Sequence, residues 1–313
     1  MASTRFAPDR KLTSRMLFVM FLLGLVYVLA IGLALALAPV KVLPIIIVVI
    51  GGFFFLQYFM SDKIALFSMN AREVGPNDSP DAHRLHAILD RLCALADMPK
   101  PRVAMCDTDT PNAFAAGRSQ KNTVVCATTG IMRRLDDNEL EGVLAHELSH
   151  VAHKDVAVMT IASFLGILAG LITRVTFEIG LWGGYSDRRR NDNDDTGLIL
   201  IVVTLVSALV YALSFLLIRA LSRYRELAAD RSGALLTGNP SALSSALVKV
   251  TGDMARIPTG DLRKVEAFNA FFFTPALAGG ASISAMFSTH PTLEARMENL
   301  AKISAELGRG GRI

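Results

Sequence analysis

Four long apolar runs limit the folds that this chain of 313 residues can adopt. They occupy residues 16–38, about 40–60, about 156–182 and 198–218. Each has about the 20 residues that a helix needs to cross a lipid bilayer. Hydrophobic residues make up 52% of the chain and the mean hydropathy is +0.41, both high for a soluble globular protein. The sequence therefore predicts about four transmembrane helices.

The charges around the first two runs predict how the chain enters a membrane. Arg5, Arg10, Lys11 and Arg15 precede the first run, whereas Lys41 alone lies in the turn before the second. Because basic residues favour the cytosolic side, we expect the N-terminus in the cytosol. A cleavable signal peptide is the alternative, but a run of about 20 residues is longer than the apolar core of such peptides.

The two apolar hairpins predict how the chain is divided. Residues 1–61 would hold the cytosolic N-terminus and the first hairpin, and 156–219 the second hairpin. Residues 62–155 and 220–313 would form the two parts of a single cytosolic domain. Within it, hydrophobic spacing predicts a helix over 81–97 and strands at 102–106 and 123–127, with a turn at 120–122. We therefore predict a mainly helical α+β fold with a small β-sheet.

Residues 146–150 read His-Glu-Leu-Ser-His, within flanks that favour a helix. Two histidines four residues apart share one helix face, so both imidazoles can reach one tetrahedral zinc ion. Glu147 lies beside them, where a carboxylate can take a proton from water at the metal without being a ligand. Asp136 and Asp137 stand where an N-cap belongs, with Glu139 in the first turn. The alternative is a surface helix whose histidines are merely solvated.

A catalytic zinc needs a third protein ligand. His153 lies about 10 Å from His146 along a helix axis, too far for both to bind one ion. Glu226 is the better candidate, since it lies just after the fourth apolar run and shares a helix face with Asp230. Asp230 could then accept a hydrogen bond from the far ring nitrogen of a ligating histidine. A solvated acidic pair is the alternative.

An extended segment at residues 111–117 lies between the two predicted strands. An edge strand next to a metal site is a common way for a protease to hold a peptide by main-chain pairing. We therefore take Asn112, Ala113, Phe114 and Ala115 as candidate substrate-binding residues. An ordinary structural strand fits the same spacing.

Composition argues against nucleic-acid binding and against a disulfide framework. No block of basic residues alternates with aromatic residues, and the net charge is only +4, so nucleic-acid binding has no support. The three cysteines, Cys93, Cys106 and Cys126, have an odd count and no C-x-x-C spacing, which favours a reduced compartment over a disulfide framework.

Four motifs together resemble those of the HtpX-like family of membrane-embedded zinc metalloproteases. They lie at residues 111–117, 140–151, 222–230 and 287–296, and the resemblance covers nearly the whole chain. It implies one zinc ion per chain with a glutamate as third ligand, and it places His290 and Arg296 in the active site, with His290 donating to the oxyanion and Arg296 binding substrate. Thr292 stands where the family usually has a second proline. Asp155 matches a position where the family often has an acid, with capping as the simplest role.

The resemblance also implies the function. We expect a zinc endopeptidase of the bacterial inner membrane whose active site faces the cytosol and whose substrates are damaged membrane proteins or unfolded polypeptides. Zinc would be held by His146, His150 and Glu226, with Glu147 as the general base. A membrane protein that senses or carries zinc would not need Glu147 and would place its ligands inside the apolar runs. An inactive scaffold would not have every catalytic position occupied.

Overall fold

The computed structural model describes residues 10–37, 43–183, 196–254 and 290–310. Residues 184–195, in the loop between the third and fourth apolar runs, and 287–289, at the start of the last motif, lie outside the described residues. The helices and strands of the described chain are α1 Arg10–Leu37, α2 Leu43–Phe59, α3 Ser61–Ser68, β1 Ala71–Glu73, α4 Pro80–Ala96, β2 Arg102–Cys106, β3 Ala113–Ser119, β4 Asn122–Thr128, α5 Thr129–Arg134, α6 Asp137–Ala152, α7 Asp155–Gly183, α8 Thr196–Thr237, α9 Pro240–Met254 and α10 Leu293–Gly310. The fold is therefore mainly helical with a small sheet, as predicted.

The described chain divides into two compact units. The first, called here the sheet unit, takes Phe59–Ala157 and the described residues from Ser222 onward, together with residues 10–12. The second, the helical unit, takes Thr13–Tyr58 and Val158–Leu221.

The sheet has four strands in the order β1-β2-β4-β3. Strands β2 and β4 are parallel, and the other two pairs are antiparallel. The two strands predicted from the sequence are β2 and β4, and the extended segment before the turn is β3, at one edge of the sheet. Gly117 of β3 has φ 143°, and a Cβ there would lie 2.1 Å from the Asn122 carbonyl oxygen. Only glycine fits this irregular point of the β3–β4 ladder.

The two faces of the sheet are covered by different layers. On one face, leucines of α4, α6 and α9 form the main core together with side chains of β2 and β4. On the other face, Ala65 of α3 packs with Phe114 and Ala116 of β3 and with neighbouring residues of β2 and β4. The three cysteines are buried and free.

Helix α6 begins with the N-cap predicted from the sequence. The Asp136 side chain accepts from the Asn138 and Glu139 amides, and the Glu139 carboxylate accepts from the Asp136 amide in return. Such reciprocal bonding satisfies backbone donors that the first helical turn leaves open. Gly142 then allows α9 to approach, since a Cβ there would lie 3.2 Å from the backbone of Leu243.

The helical unit contains long apolar helices with many exposed side chains. Among the described residues, one helix, Leu200–Thr237, is long and apolar enough to cross a membrane, and Thr13–Leu29 is a shorter apolar helix. The prediction of about four transmembrane helices therefore stays a prediction. Helix α8 has 42 residues, or about 63 Å, roughly twice the hydrocarbon thickness of a bilayer.

Candidate metal centre

The centre forms where the last turns of α8 pack against the middle of α6. Gly233 of α8 makes this approach possible, because a Cβ there would lie 2.9 Å from the His146 amide nitrogen and 3.1 Å from its Cα. A larger residue at position 233 would force the two helices apart. The approach brings Glu226, about two turns before Gly233 on the same face of α8, toward the histidines of α6.

Three buried side chains converge there. Glu226 Oε2 lies 3.5 Å from His146 Nε2, and Glu226 Oε1 lies 3.5 Å from His150 Nε2. In the described chain these three residues are the group whose ligand atoms all lie within 4.8 Å of one another. Bonds of about 2.0–2.1 Å to a tetrahedral zinc place neighbouring ligand atoms about 3.3–3.4 Å apart. The donor set and its spacing therefore fit zinc.

Each histidine is held from its far side by an aspartate. Asp230 Oδ1 lies 2.9 Å from His146 Nδ1, and Asp155 Oδ2 lies 2.9 Å from His150 Nδ1. A carboxylate at Nδ1 fixes the ring orientation and directs Nε2 toward a metal. The contact of Asp230 was predicted. The contact of Asp155 was not, and the only sequence signal for it was an acid five residues after His150.

Each aspartate in turn contacts a buried arginine. Arg296 donates through Nε to Asp230 Oδ2 at 2.8 Å and through Nη2 to Asp230 Oδ1 at 2.6 Å. Arg225 Nε lies 3.2 Å from Asp155 Oδ2. The resemblance had placed Arg296 against substrate, but its residue is only 2% exposed. Its contacts instead support a role in positioning Asp230.

These arginines keep the aspartates ionised. Burial acts to raise the pKa of Asp230, but the charge and hydrogen bonds of Arg296 outweigh it and hold that pKa below its usual range. Burial likewise acts to raise the pKa of Asp155, but the Arg225 charge and the His150 hydrogen bond outweigh it and lower that pKa. Two series of contacts therefore support the centre: His146–Asp230–Arg296 and His150–Asp155–Arg225.

Glu147 lies beside the three converging side chains without belonging to them. It is buried, and its Oε2 accepts a hydrogen bond from the Ala115 amide at 3.0 Å. Burial raises the pKa of Glu147, although the neighbouring histidines act to lower it. A raised pKa suits a carboxylate that must take up and release a proton near neutral pH.

Strand β3 reaches this carboxylate with one residue of the predicted substrate-binding segment. The Ala115 amide contacts Glu147. The side chain of Phe114 packs in the layer under α3, on the face of the sheet opposite to the Ala115 side chain, because successive side chains of a strand point to opposite faces. Ala113 is buried in the main core. Asn112 is fully buried and pairs with Thr128 through both backbone groups. The side chains of Asn112, Ala113 and Phe114 are therefore buried, and Ala115 is the candidate whose main chain reaches the site.

The remaining two histidines of this region have different places. His290, just before α10, is buried with its Nδ1 3.2 Å from Glu226 Oε2, so the structure brings it into the centre as the resemblance implied. His153 is the C-cap of α6, with its Nδ1 2.9 Å from the Ser149 carbonyl oxygen. It does not belong to the group of converging ligands, as helix geometry predicted.

Comparison with known proteins gives consistent matches. The model of peptidase family M48 matches residues 79–304. Protease HtpX homolog 1 of Streptomyces coelicolor is 58% identical over 97% of each chain. The protease HtpX homolog of Moorella thermoacetica is 48% identical over 97% of this chain and 98% of that protein. The crystal structure of S. mikatae Ste24p aligns with a TM-score of 0.50 and 17% identity over 93% of this chain and 67% of that chain, which shows a shared fold.

Proposed function

This chain belongs to peptidase family M48 and is an HtpX-like zinc metalloendopeptidase, and from that premise we propose that it is membrane-bound and cleaves damaged membrane proteins and unfolded polypeptides. The observation that carries the proposal is the convergence of His146, His150 and Glu226 beside a buried Glu147. A carrier or sensor of zinc has no use for such a carboxylate, whereas hydrolysis requires a base at that place.

His146, His150 and Glu226 would hold the zinc ion, each through one ligand atom. When bound, zinc supplies Lewis-acid polarisation of the scissile carbonyl and lowers the pKa of water toward neutrality. The two aspartates behind the histidines orient the rings, and the two arginines keep those aspartates charged.

Glu147 acts as the general base in this proposal. Its carboxylate takes a proton from the attacking water and passes it to the leaving amine. The hydrogen bond from the Ala115 amide orients the carboxylate and also ties it to the strand on which we expect the peptide to lie.

His290 acts as a donor to the oxyanion that forms during attack. Its Nδ1 lies 3.2 Å from Glu226 Oε2, within the centre, which supports this role. A positioned donor of this kind contributes about 3 kcal/mol to transition-state stabilisation.

The peptide would pair with the open edge of β3. This strand has β4 on one side in the described sheet, and the Ala115 amide points away from that partner toward the site. Main-chain pairing of this kind tolerates many sequences, which suits an enzyme of protein quality control.

The proposed location is the bacterial plasma membrane, with several spans and the centre facing the cytosol. The basic residues before the first apolar run support this orientation. The relative that is 58% identical comes from Streptomyces coelicolor, which supports the bacterial setting.

The decisive experiment is an incubation of purified full-length protein with and without a chelator, scored for self-cleavage and for hydrolysis of an unfolded protein. Cleavage should stop with the chelator and return when zinc is added back. Glu147→Ala should keep about one zinc per chain by elemental analysis while cleavage falls by orders of magnitude. Near-normal cleavage by Glu147→Ala would overturn the mechanism.

A labelling experiment tests the proposed orientation. Single cysteines are introduced at Ser186, which lies outside the described residues, and at Ser232 of α8, in a background without the three native cysteines. With a membrane-impermeant thiol reagent on intact cells, position 186 should be labelled and position 232 protected. Failure of position 186 to label would mean that the third and fourth apolar runs do not cross.

A further inference from the structure

Helix α3 exposes apolar side chains on one side. Phe67 is 89% exposed, Ile64 is 44% exposed, and Met60, directly before the helix, is 39% exposed. At about 100° per residue, these three positions fall within an arc of roughly 60°. They form one continuous surface, called here the outer face of α3.

The opposite side of α3 is firmly attached to the sheet. Ala65 is fully buried against Phe114 and Ala116 of β3. Asp62 is buried and forms an ion pair with Arg102 of β2. The exposure of the outer face therefore belongs to a helix that is packed in place, and large apolar side chains grouped in this way mark an interaction surface.

The chain leads to this surface from an apolar helix. Only Met60 separates α3 from α2, whose side chains Val48, Phe55 and Leu56 are 73%, 58% and 52% exposed. An apolar helix with so many outward-facing large residues suits lipid as its surroundings. A helix that follows it after one residue must start close to the level at which the chain leaves the lipid.

Two basic side chains lie near the start of the outer face. Lys63 is exposed at the edge of the arc, and the one acidic residue of α3, Asp62, is turned inward. The Arg118 guanidinium lies 4.9 Å from the ring centroid of Phe59 and donates to the Phe59 carbonyl oxygen at 3.1 Å. Basic side chains beside an apolar helix face are the arrangement that anionic headgroups attract.

We propose that the outer face of α3 lies in the headgroup region of the bilayer and holds the substrate-binding edge strand at the membrane surface. This inference rests on the membrane attachment proposed above and adds the contact surface and its consequence. The consequence follows from β3, which is packed under α3 at Phe114 and contacts Glu147 through Ala115. The enzyme should therefore prefer peptide segments that emerge from the bilayer over the same segments free in solution.

Tryptophan quenching by brominated lipids tests the contact directly. The one native tryptophan, Trp182, is replaced by Phe, and single tryptophans are placed at Phe67, at Leu56 of α2 and at Leu95, an exposed residue of α4. The full chain is reconstituted in phosphatidylcholine and phosphatidylglycerol vesicles with and without bromine on the acyl chains. Position 67 should be quenched several-fold more than position 95, and position 56 should be quenched strongly.

The three positions separate the two proposals. If position 56 is quenched and position 67 behaves like position 95, the inference about α3 is wrong while membrane attachment stands. If position 56 is not quenched either, membrane attachment itself fails. If position 67 has blue-shifted emission without quenching, a protein surface and not the bilayer covers it, which also overturns the inference.

A cleavage assay tests the consequence. The double variant Ile64→Asp, Phe67→Asp should lose several-fold in cleavage of a peptide anchored by a transmembrane helix, with cleavage of the same peptide without its anchor unchanged. Leu95→Asp, at a comparably exposed leucine, should leave both rates unchanged. Equal loss on both substrates, or no loss on either, would contradict the role of α3.

Discussion

The sheet unit and the helical unit differ in how far they bury their large apolar side chains. In the sheet unit large leucines such as Leu85 and Leu144 are fully buried, and so are charged groups such as Arg296 and Asp230. In the helical unit large apolar residues such as Leu205 are 65% exposed. Among the described side chains, the buried apolar cluster of that unit is small: Val19, Leu23, Tyr27, Ala169, Val210 and Leu221.

The contacts inside the helical unit are accordingly of another kind. Hydroxyl groups pair between helices, as Tyr27 and Ser214 do at 2.7 Å and Thr204 and Thr176 at 2.8 Å. In lipid the hydrophobic effect does not drive helices together, so close packing and such hydrogen bonds take a larger share. With the helical unit in lipid, as proposed, burial of apolar area would measure stability only for the sheet unit.

The largest contrast is expected for carboxylates on the two long helices. Glu226→Ala should lose most bound zinc and reduce cleavage by orders of magnitude, because the ion loses a ligand. Glu178→Ala, which removes an exposed partner of Arg174 on α7, should keep both its bound zinc and its cleavage activity. Zinc content by elemental analysis and a cleavage assay measure this.

A second control for the same experiment is His153→Ala. Since His153 bonds within α6 and lies outside the converging ligands, this variant should retain zinc. Loss of zinc from His153→Ala together with retention by Glu226→Ala would show that the ligand assignment is wrong.

The next largest difference is expected between leucine truncations in the two units. Leu144→Ala creates a cavity in the main core and should cost about 2–5 kcal/mol of the free energy of unfolding. Leu205→Ala, at an exposed site of α8, should cost well under 1 kcal/mol when both variants are measured in one detergent. Denaturant midpoints compare the two variants, and equal losses would contradict the difference in apolar burial between the two units.

The supporting aspartates should have an intermediate effect. Asp155→Asn and Asp230→Asn should each weaken zinc affinity about 10–100-fold while all three ligands remain, because each imidazole loses its charged orienting partner. Asp90→Asn, on an exposed side chain paired with Lys100, is the matched control. Competition with a fluorescent chelator measures the affinities. Unchanged zinc affinity in Asp155→Asn would show that Asp155 does not support the metal centre and serves only as a helix cap.

The smallest effect belongs to the helical unit. Tyr27→Phe removes the hydroxyl bonded to Ser214 and should cost about 0.6 kcal/mol, the average for hydrogen bonds between helices in membranes. Tyr211→Phe, at a 42% exposed tyrosine, should cost less. Thermal unfolding in lipid nanodiscs compares them. A loss of several kcal/mol for Tyr27→Phe would mean that polar contacts, not packing, dominate this unit.

The sequence by itself determined the features whose signals lie within a few residues. The capping box of Asp136 and Glu139 marks the start of α6, and the four-residue spacing of His146 and His150 places both on one face. Strand β2 was predicted to the residue, and Asp230 was predicted behind a histidine of the centre. These succeed because capping, periodicity and side-chain direction are local properties of the backbone.

Only the tertiary structure decided which distant groups meet. Arg225 lies 75 residues from His150, and Arg296 lies 150 from His146, yet both reach the back of the centre. Asp155 looked like a cap and Arg296 looked like a substrate ligand. The packing of α6 against α8, made close by Gly233, brings Arg225 to Asp155, and the packing of α10 against α8 brings Arg296 to Asp230. A pattern in the sequence shows which face of an element is polar, but the contact made by that face depends on the neighbour that packs there.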